Sequence, residues 1–428
     1  MKDSGIEWIG EIPEEWKVEP IKFHLQRNDV KNHPDEKILS VYRDYGVIPK
    51  DSRTDNHNVT SQDTSKYKLV MPGELVINKM KAWQGSLAVS KYQGIVSPAY
   101  YIYKFINNRL NRNYLNYLIR VCYKDEFRRI SGGIREGQWD LSAYDFEHIP
   151  ILVPSLNEQS CIVSFLNKKI DKINQTSQTI QQEIDALEEY RKSLITETVT
   201  KGLDKTVPMK DSGIEWIGEI PENWKVEKLK FLGTVRNGLT YSPEDLSDDG
   251  TLVLRSSNIK KGKVYDADNV YVNMFVPQNL ILKENDLLIC SRNGSAKLIG
   301  KNALINEKYA GSSFGAFMAV FRSKYNEYIH YVLNSNIFDY YIGSFLTSTI
   351  NQLTNRNLLN LSIPFPASKT ERQQIISFLK KKCSMIDFII DKKKEQISCL
   401  TQYKQSIVYE YVTGKKQVSE KEGVKNAQ

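Results

Sequence analysis

The sequence is short of chemical machinery. Its five cysteines (Cys122, Cys161, Cys290, Cys383, Cys399) form no CxxC or CxxH spacing, so it offers no zinc motif and no disulfide framework. It contains no Pro-Pro pair, and the DPPY or NPPY motif of amino-methyltransferases is therefore absent. GSAKLIGKN (294–302) ends in Asn and lacks the hydroxyl that a phosphate-binding loop supplies to magnesium. No [DE]xK tripeptide of a nuclease follows Pro34-Asp35 in the next thirty residues. The five histidines (His24, His33, His57, His148, His330) stand far apart, without ligand spacing. No apolar run reaches the roughly 18 residues of a membrane span, and the acidic opening is unlike a signal peptide. These absences point away from an enzyme and from a membrane protein, toward a cytoplasmic chain with neither cofactor nor metal of its own.

A repeat fills the space. MKDSGIEWIGEIPEEWKVE opens the chain and MKDSGIEWIGEIPENWKVE begins again at Met209, differing only at Glu15 against Asn223. EQSCIVSFLNKKIDKI (158–173) then matches ERQQIISFLKKKCSMI (371–386), and the register continues without a gap to Thr200 and Thr413. Weaker matches lie between: GELVINKM (73–80) with NDLLICSR (285–292), and WDLSAYDFEHIPILVP (139–154) with NQLTNRNLLNLSIPFP (351–366). A period this long is a duplicated domain pair, not a solenoid.

Each repeat closes on a helix. Positions 166, 170, 173, 177, 180, 184, 187, 191 and 194 form a heptad seam with polar interruptions at Ser177 and Arg191. The second seam runs through Leu379, Cys383, Ile386, Ile390, Lys393, Ile397, Leu400, Lys404 and Ile407. No proline or glycine interrupts 157–200 or 369–412, each long enough for a rod of about 66 Å. A wet seam needs a partner, and the other rod is the nearest one. The expected fold is α+β: two duplicated α/β domains joined by two long helices packed as an antiparallel coiled coil, related by a pseudo-two-fold axis. The expected segments are 1–156 and 209–368 (globular), 157–203 and 369–413 (helices), and a charged, disordered tail at 414–428.

The globular segments read as short strands with turn-rich loops, Ser142 and Thr354 each standing where a helix N-cap belongs. The loops differ between repeats and carry the charge. The first segment offers Lys79, Lys81, Trp83, Gln84, Lys91 and Tyr92, then Arg128, Arg129, Arg135, Gln138 and Trp139 around Gly132-Gly133. The second offers Arg255, Ser256, Ser257, Asn258, Lys260, Lys261 and Lys263, then Arg292, Asn293, Ser295, Lys297 and Lys301. Lysine and arginine neutralise phosphates, while Arg, Asn and Gln hydrogen-bond base edges. For any one of them a solvated surface residue is the better reading; four clusters in matching loops, with a net charge of +8, favour nucleic acid.

Opening motif, variable segment and long helix, twice over, resemble the specificity (S) subunit of type I restriction-modification enzymes. WIGEIPEEWKV and WIGEIPENWKV, IPILVPSLNEQSCIVSFL and LSIPFPASKTERQQIISFL, and the endings ITETVTKGLD and VYEYVTGK carry the resemblance. It implies two target-recognition domains on double-stranded DNA, each reading half of a split site across a fixed gap. It implies docking of two methyltransferase (M) subunits and admits two restriction (R) subunits. S-adenosylmethionine, Mg and ATP would act on those partners and none in this chain. The competing reading is a free-standing nucleic-acid-binding coiled-coil scaffold without methyltransferase partners.

Overall fold

The computed structural model describes residues 1–53, 61, 63–133, 139–344 and 351–418. The chain divides into two compact units, Met1–Ile180 with Glu395–Gln428, and Gln181–Lys394. The division falls inside the long helices, not at their ends, so each unit owns one globular segment and a portion of both rods.

In the first unit the opening motif leads into β1 (Lys17–Pro20). Next come β2 (Leu25–Arg27), β3 (Leu75–Asn78), β4 (Leu87–Val89), β5 (Tyr100–Phe105) and β6 (Pro150–Val153). An antiparallel sheet in the order β2-β5-β3-β4 carries the core, with Leu75 opposite Tyr103. Its alternating apolar residues meet the helix Arg112–Cys122, capped by the Asn111 side chain. Strand β1 pairs with β6, Lys17 opposite Val153, and β6 runs directly into the first long helix, α1 (Leu156–Lys201).

The second unit repeats the plan. The strands that correspond are β7 (Trp224–Lys228), β8 (Thr234–Asn237), β9 (Leu287–Cys290), β10 (Asn302–Leu304), β11 (Met318–Arg322) and β12 (Ser362–Pro366). The sheet order is β8-β11-β9-β10, with Leu287 opposite Phe321, and β7 pairs with β12 ahead of the second long helix, α2 (Lys369–Val412). Ser142 and Thr354 cap the short helices that precede β6 and β12, accepting from Asp145 N and Asn357 N.

The helices pack as the heptads require. Leu166, Ile170, Ile173 and Ile184 are buried, and Ser177, Ile180, Leu187, Arg191 and Leu194 half-buried; the second seam is likewise covered at every position. Within the first unit Phe165 stacks on Tyr411, ring centroids 4.5 Å apart, and Lys404 Nζ donates to Asn174 at 2.9 Å. Within the second, Lys393 Nζ donates to Glu183 at 2.6 Å and Arg191 pairs with Asp387 at 3.2 Å. In both units the number falls along one rod as it rises along the other, so the packing is antiparallel. Asn174 and Asp387 are equivalent positions in the repeat, as are Arg191 and Lys404. A seam cation has therefore been kept twice with a polar partner beside the other seam, and a slipped register would leave it unpaired.

The repeated opening motif has its explanation here. Trp16 and Trp224 are 2% and 0% exposed. Trp16 Nε1 donates to Glu158 in the first turn of α1 (2.9 Å), and Trp224 Nε1 to Glu371 in the first turn of α2 (2.8 Å). The same rings lie against the glycine that ends the other rod. A Cβ on Gly414 would stand 3.1 Å from Trp16, and one on Gly202 3.3 Å from Trp224; both glycines have positive φ (71° and 72°). Each tryptophan thus clamps the start of one helix to the end of the other. Trp8 and Trp216 also pack within their own units. Trp8 stands edge-on to Tyr123 (5.8 Å) while its carbonyl accepts from Tyr409 of α2, and Trp216 stacks on Tyr340 (5.9 Å).

Residues 414–416, assigned from the sequence to a disordered tail, are instead held in a turn. Lys415 Nζ donates to Glu11 O and Lys416 pairs with Glu410. Residues 419–428 lie outside the described residues.

Candidate nucleic-acid interface

In the first unit, β3 delivers its chain into a tight loop that turns on Gly85 (φ 89°) and returns as β4. Lys79 leaves the strand end and pairs with Asp140 at 2.8 Å, which raises the lysine pKa through that hydrogen bond. Trp83 donates its Nε1 to Met80 O, and its ring lies 5.5 Å from Trp139. The Arg128 guanidinium covers the other ring at 5.9 Å. Lys79, Trp83, Arg128 and Trp139 therefore meet around one loop, with Lys81 and Gln84 exposed beside them. Lys91 and Tyr92 do not join the group. They follow Val89, which pairs with Leu75 at the opposite end of the β3–β4 hairpin. Arg129 turns back onto Glu126. Arg135 and Gln138 lie outside the described residues.

In the second unit the candidates divide between two clefts. Arg255, Ser256, Ser257, Arg292 and Asn293 line one of about 660 Å3, together with Phe317. Lys261, Lys297 and Lys301 line another of about 400 Å3, where Arg191, Lys192 and Asp387 of the long helices also stand. Several candidates prove to be internal ties. Lys261 (φ 50°), at the tip of the hairpin Ile259–Lys260/Lys263–Val264, pairs with Asp391 of α2 at 2.6 Å, and that hydrogen bond lowers the carboxyl pKa. Lys301 donates to Ser256 O at 3.1 Å, its pKa lowered by burial. Ser295 and Lys297 remain exposed, as do Lys260, resting on Tyr265, and Lys263.

Asn258 is corrected outright as a nucleic-acid contact. It is 0% exposed. Its Nδ2 donates to Ala267 O (2.7 Å) and Asn269 Oδ1 (3.0 Å), and its Oδ1 accepts from Arg255 N (2.9 Å). It is the hub that shapes the 255–258 turn and cannot reach a ligand.

Sequence reasoning missed Phe317, Asp140 and Gln352. Asp140 and Gln352 are aligned positions of the repeat: the first accepts from Lys79, the second from Arg292 Nη2 at 2.8 Å. One cation is thus neutralised and the other only oriented. Among the described residues no group of three or more His, Cys, Asp or Glu is placed to hold a metal ion, and no helix is long and apolar enough to cross a membrane.

Two stretches of the chain, 13–186 and 221–398, match the model of the type I restriction modification DNA specificity domain. The chain belongs to that family. It carries the domain twice, on the same two repeats that the sequence shows. The MjaVIII specificity subunit of Methanocaldococcus jannaschii is 25% identical over 82% of both chains. The EcoKI specificity subunit of Escherichia coli is 26% identical over 46% of this chain and 44% of its own. A solved chain, described under complex assembly and conformational transition of the type I R-M system, superposes with a TM-score of 0.68. It covers 94% of this chain and 98% of its own at 14% identity, a likeness of fold.

Proposed function

We propose that this chain is the DNA-reading subunit of a type I restriction-modification complex and does no chemistry itself. One observation carries the reading: two DNA specificity domains share their tryptophan clamps and helix seams but differ in the cation-bearing loops. Parts that meet the same partner twice stay alike, while parts that read two different half-sites diverge. The target is therefore two unrelated half-sites separated by a fixed unread gap. Two methyltransferase subunits dock on the repeated parts, and restriction subunits, where present, join the same complex in the cytoplasm. S-adenosylmethionine, Mg and ATP act on those partners.

The purified chain alone should neither methylate DNA nor bind S-adenosylmethionine, and should do so only with its methyltransferase subunit; transfer by the lone polypeptide would overturn the reading. Exchanging residues 24–148 for those of another family member should change one half-site in the methylated motif and leave the other intact. A motif altered in both halves, or in neither, counts against it. A scaffold without methyltransferase partners would leave no methylated motif at all.

The basic hairpin of the second unit supplies phosphate contacts. Replacing Lys260 and Lys263 with alanine should weaken binding to all sequences and flatten the slope of log K against log salt by about 1.8, about 0.9 per phosphate. Lys261 should add little, because Asp391 already neutralises it. An unchanged slope in the double variant would show the hairpin to be solvated surface.

A further inference from the structure

The 660 Å3 cleft of the second unit is built before any ligand arrives. Three loops meet in it and are locked together. Asn293 Nδ2 donates to Ser256 Oγ at 3.2 Å, joining the first two. The third ends on Phe317, whose carbonyl accepts from Ser291 N, Arg292 N and Ser291 Oγ at 3.0, 3.0 and 2.9 Å. With its backbone fixed, the Phe317 ring is left 59% exposed at the cleft.

The polar groups here are oriented without being satisfied. Arg292 is exposed, its guanidinium 5.7 Å from the Phe317 ring and one nitrogen held by the neutral amide of Gln352. Its charge and its remaining N–H groups stay available. Arg255 lays one nitrogen on Asp268 O, again a neutral acceptor, while its Nε is buried with no hydrogen bond; the hydroxyl of Ser257 is in the same condition. Buried donors without partners are costly, and both residues line the cleft.

Asp268 also lines it. A carboxylate repels phosphate, so a site built for the DNA backbone would avoid one. A base pair accepts it: arginine donates to O6 and N7 of guanine, and aspartate accepts from N4 of cytosine. We infer that this cleft reads a G·C base pair in the second half-site, through Arg292 on guanine and Asp268 on cytosine, with Phe317 as the apolar contact beside them. The lysines of the neighbouring hairpin hold the phosphates. This inference rests on the function proposed above.

The test uses the full chain reconstituted with its methyltransferase subunit, read by methylation-sensitive sequencing. Arg292→Gln should lower methylation of the original motif about 5- to 150-fold and relax one G·C position in one half-site only. Asp268→Asn should relax the same base pair, and Lys260→Ala with Lys263→Ala should lower all sites evenly. Both first substitutions are at residues that carry no core packing, so loss of folding does not enter. Retention of the original motif and rate by Arg292→Gln and Asp268→Asn, with a bipartite motif still read, overturns the inference alone. So does a second half-site without a G·C pair. If the unaltered complex leaves no bipartite motif, the functional reading falls and the inference falls with it.

Discussion

Replacing Trp224 with alanine should destabilise the second unit by about 3–5 kcal/mol, the usual cost of removing a large buried aromatic. The ring is 0% exposed and packs with Ile195, Val199, Leu361 and Ile375 in the core of that unit. Its loss opens a cavity between the first turn of α2 and the glycine that ends α1. It also strands the Glu371 carboxylate, which loses its indole donor. Trp16→Ala should do the same to the first unit. There the partner, Glu158, already has its pKa raised by burial, so it is a carboxyl that depends on its hydrogen bond. Glu371→Gln keeps an acceptor at the same place and should cost about 1 kcal/mol or less. Urea unfolding of the full chain, with hydrogen exchange to assign each transition to its unit, measures all three. A loss below about 1 kcal/mol for Trp224→Ala would show that the clamp is dispensable.

That clamp was written in the sequence, since WKV recurs in both openings, yet nothing in the spelling distinguishes Trp16 from Trp8. The distinction arises only when β1 pairs with β6 and carries the indole to the helix start. The seams were legible because a heptad is a local pattern, and even their flaws showed at Ser177 and Arg191. What those flaws meet was not legible. Asp387 lies on the other rod, and only antiparallel packing reveals that Arg191–Asp387 and Lys404–Asn174 are one arrangement kept twice, a seam cation with a polar partner. The loops failed for the same reason. Lys260, Lys261 and Lys263 look alike as letters, but Lys261 is neutralised by an aspartate 130 residues away. Asn258 sits in a polar turn that reads as exposed, and becomes the buried hub because a short turn must satisfy its own backbone donors. Charge is a property of the residue, whereas availability is a property of the fold.

The stability of the second unit should fall as the pH drops from about 6.5 to about 4, and His330 should be a principal cause. Its Nδ1 lies 2.9 Å from Asn302 Oδ1. The Asn302 amide nitrogen is spent on Gly300 O and Leu333 O, so the oxygen faces the ring and fixes the imidazole proton on Nδ1. A second proton would have to go to Nε2. That atom faces Gly262 of the basic hairpin, where even a Cβ would stand 3.3 Å away. Burial first, and then the positive charge of Arg191, push the imidazole from its ordinary 6.5 down to about 4. The sign follows directly. Below pH 6.5 the unfolded chain takes up a proton that the folded unit refuses, so stability falls by up to about 1.4 kcal/mol per pH unit, about 3 kcal/mol by pH 4. Above 6.5 the group is neutral in both states and contributes no slope. Carboxylates such as Asp391, whose pKa the Lys261 hydrogen bond lowers, add their own losses below the usual carboxylate range. The comparison is therefore made against His330→Gln, which keeps a donor for Asn302 and cannot titrate. Hydrogen exchange of the helix Asn326–Val332 in the full chain, followed from pH 7.5 to 4.5, reads the unit that holds it. The variant should lose most of the acid slope above pH 4.5 while its stability at neutral pH shifts by a constant. An equal slope in both proteins would show that the imidazole accepts its second proton where it sits, and that Gly262 and Arg191 do not hold it neutral.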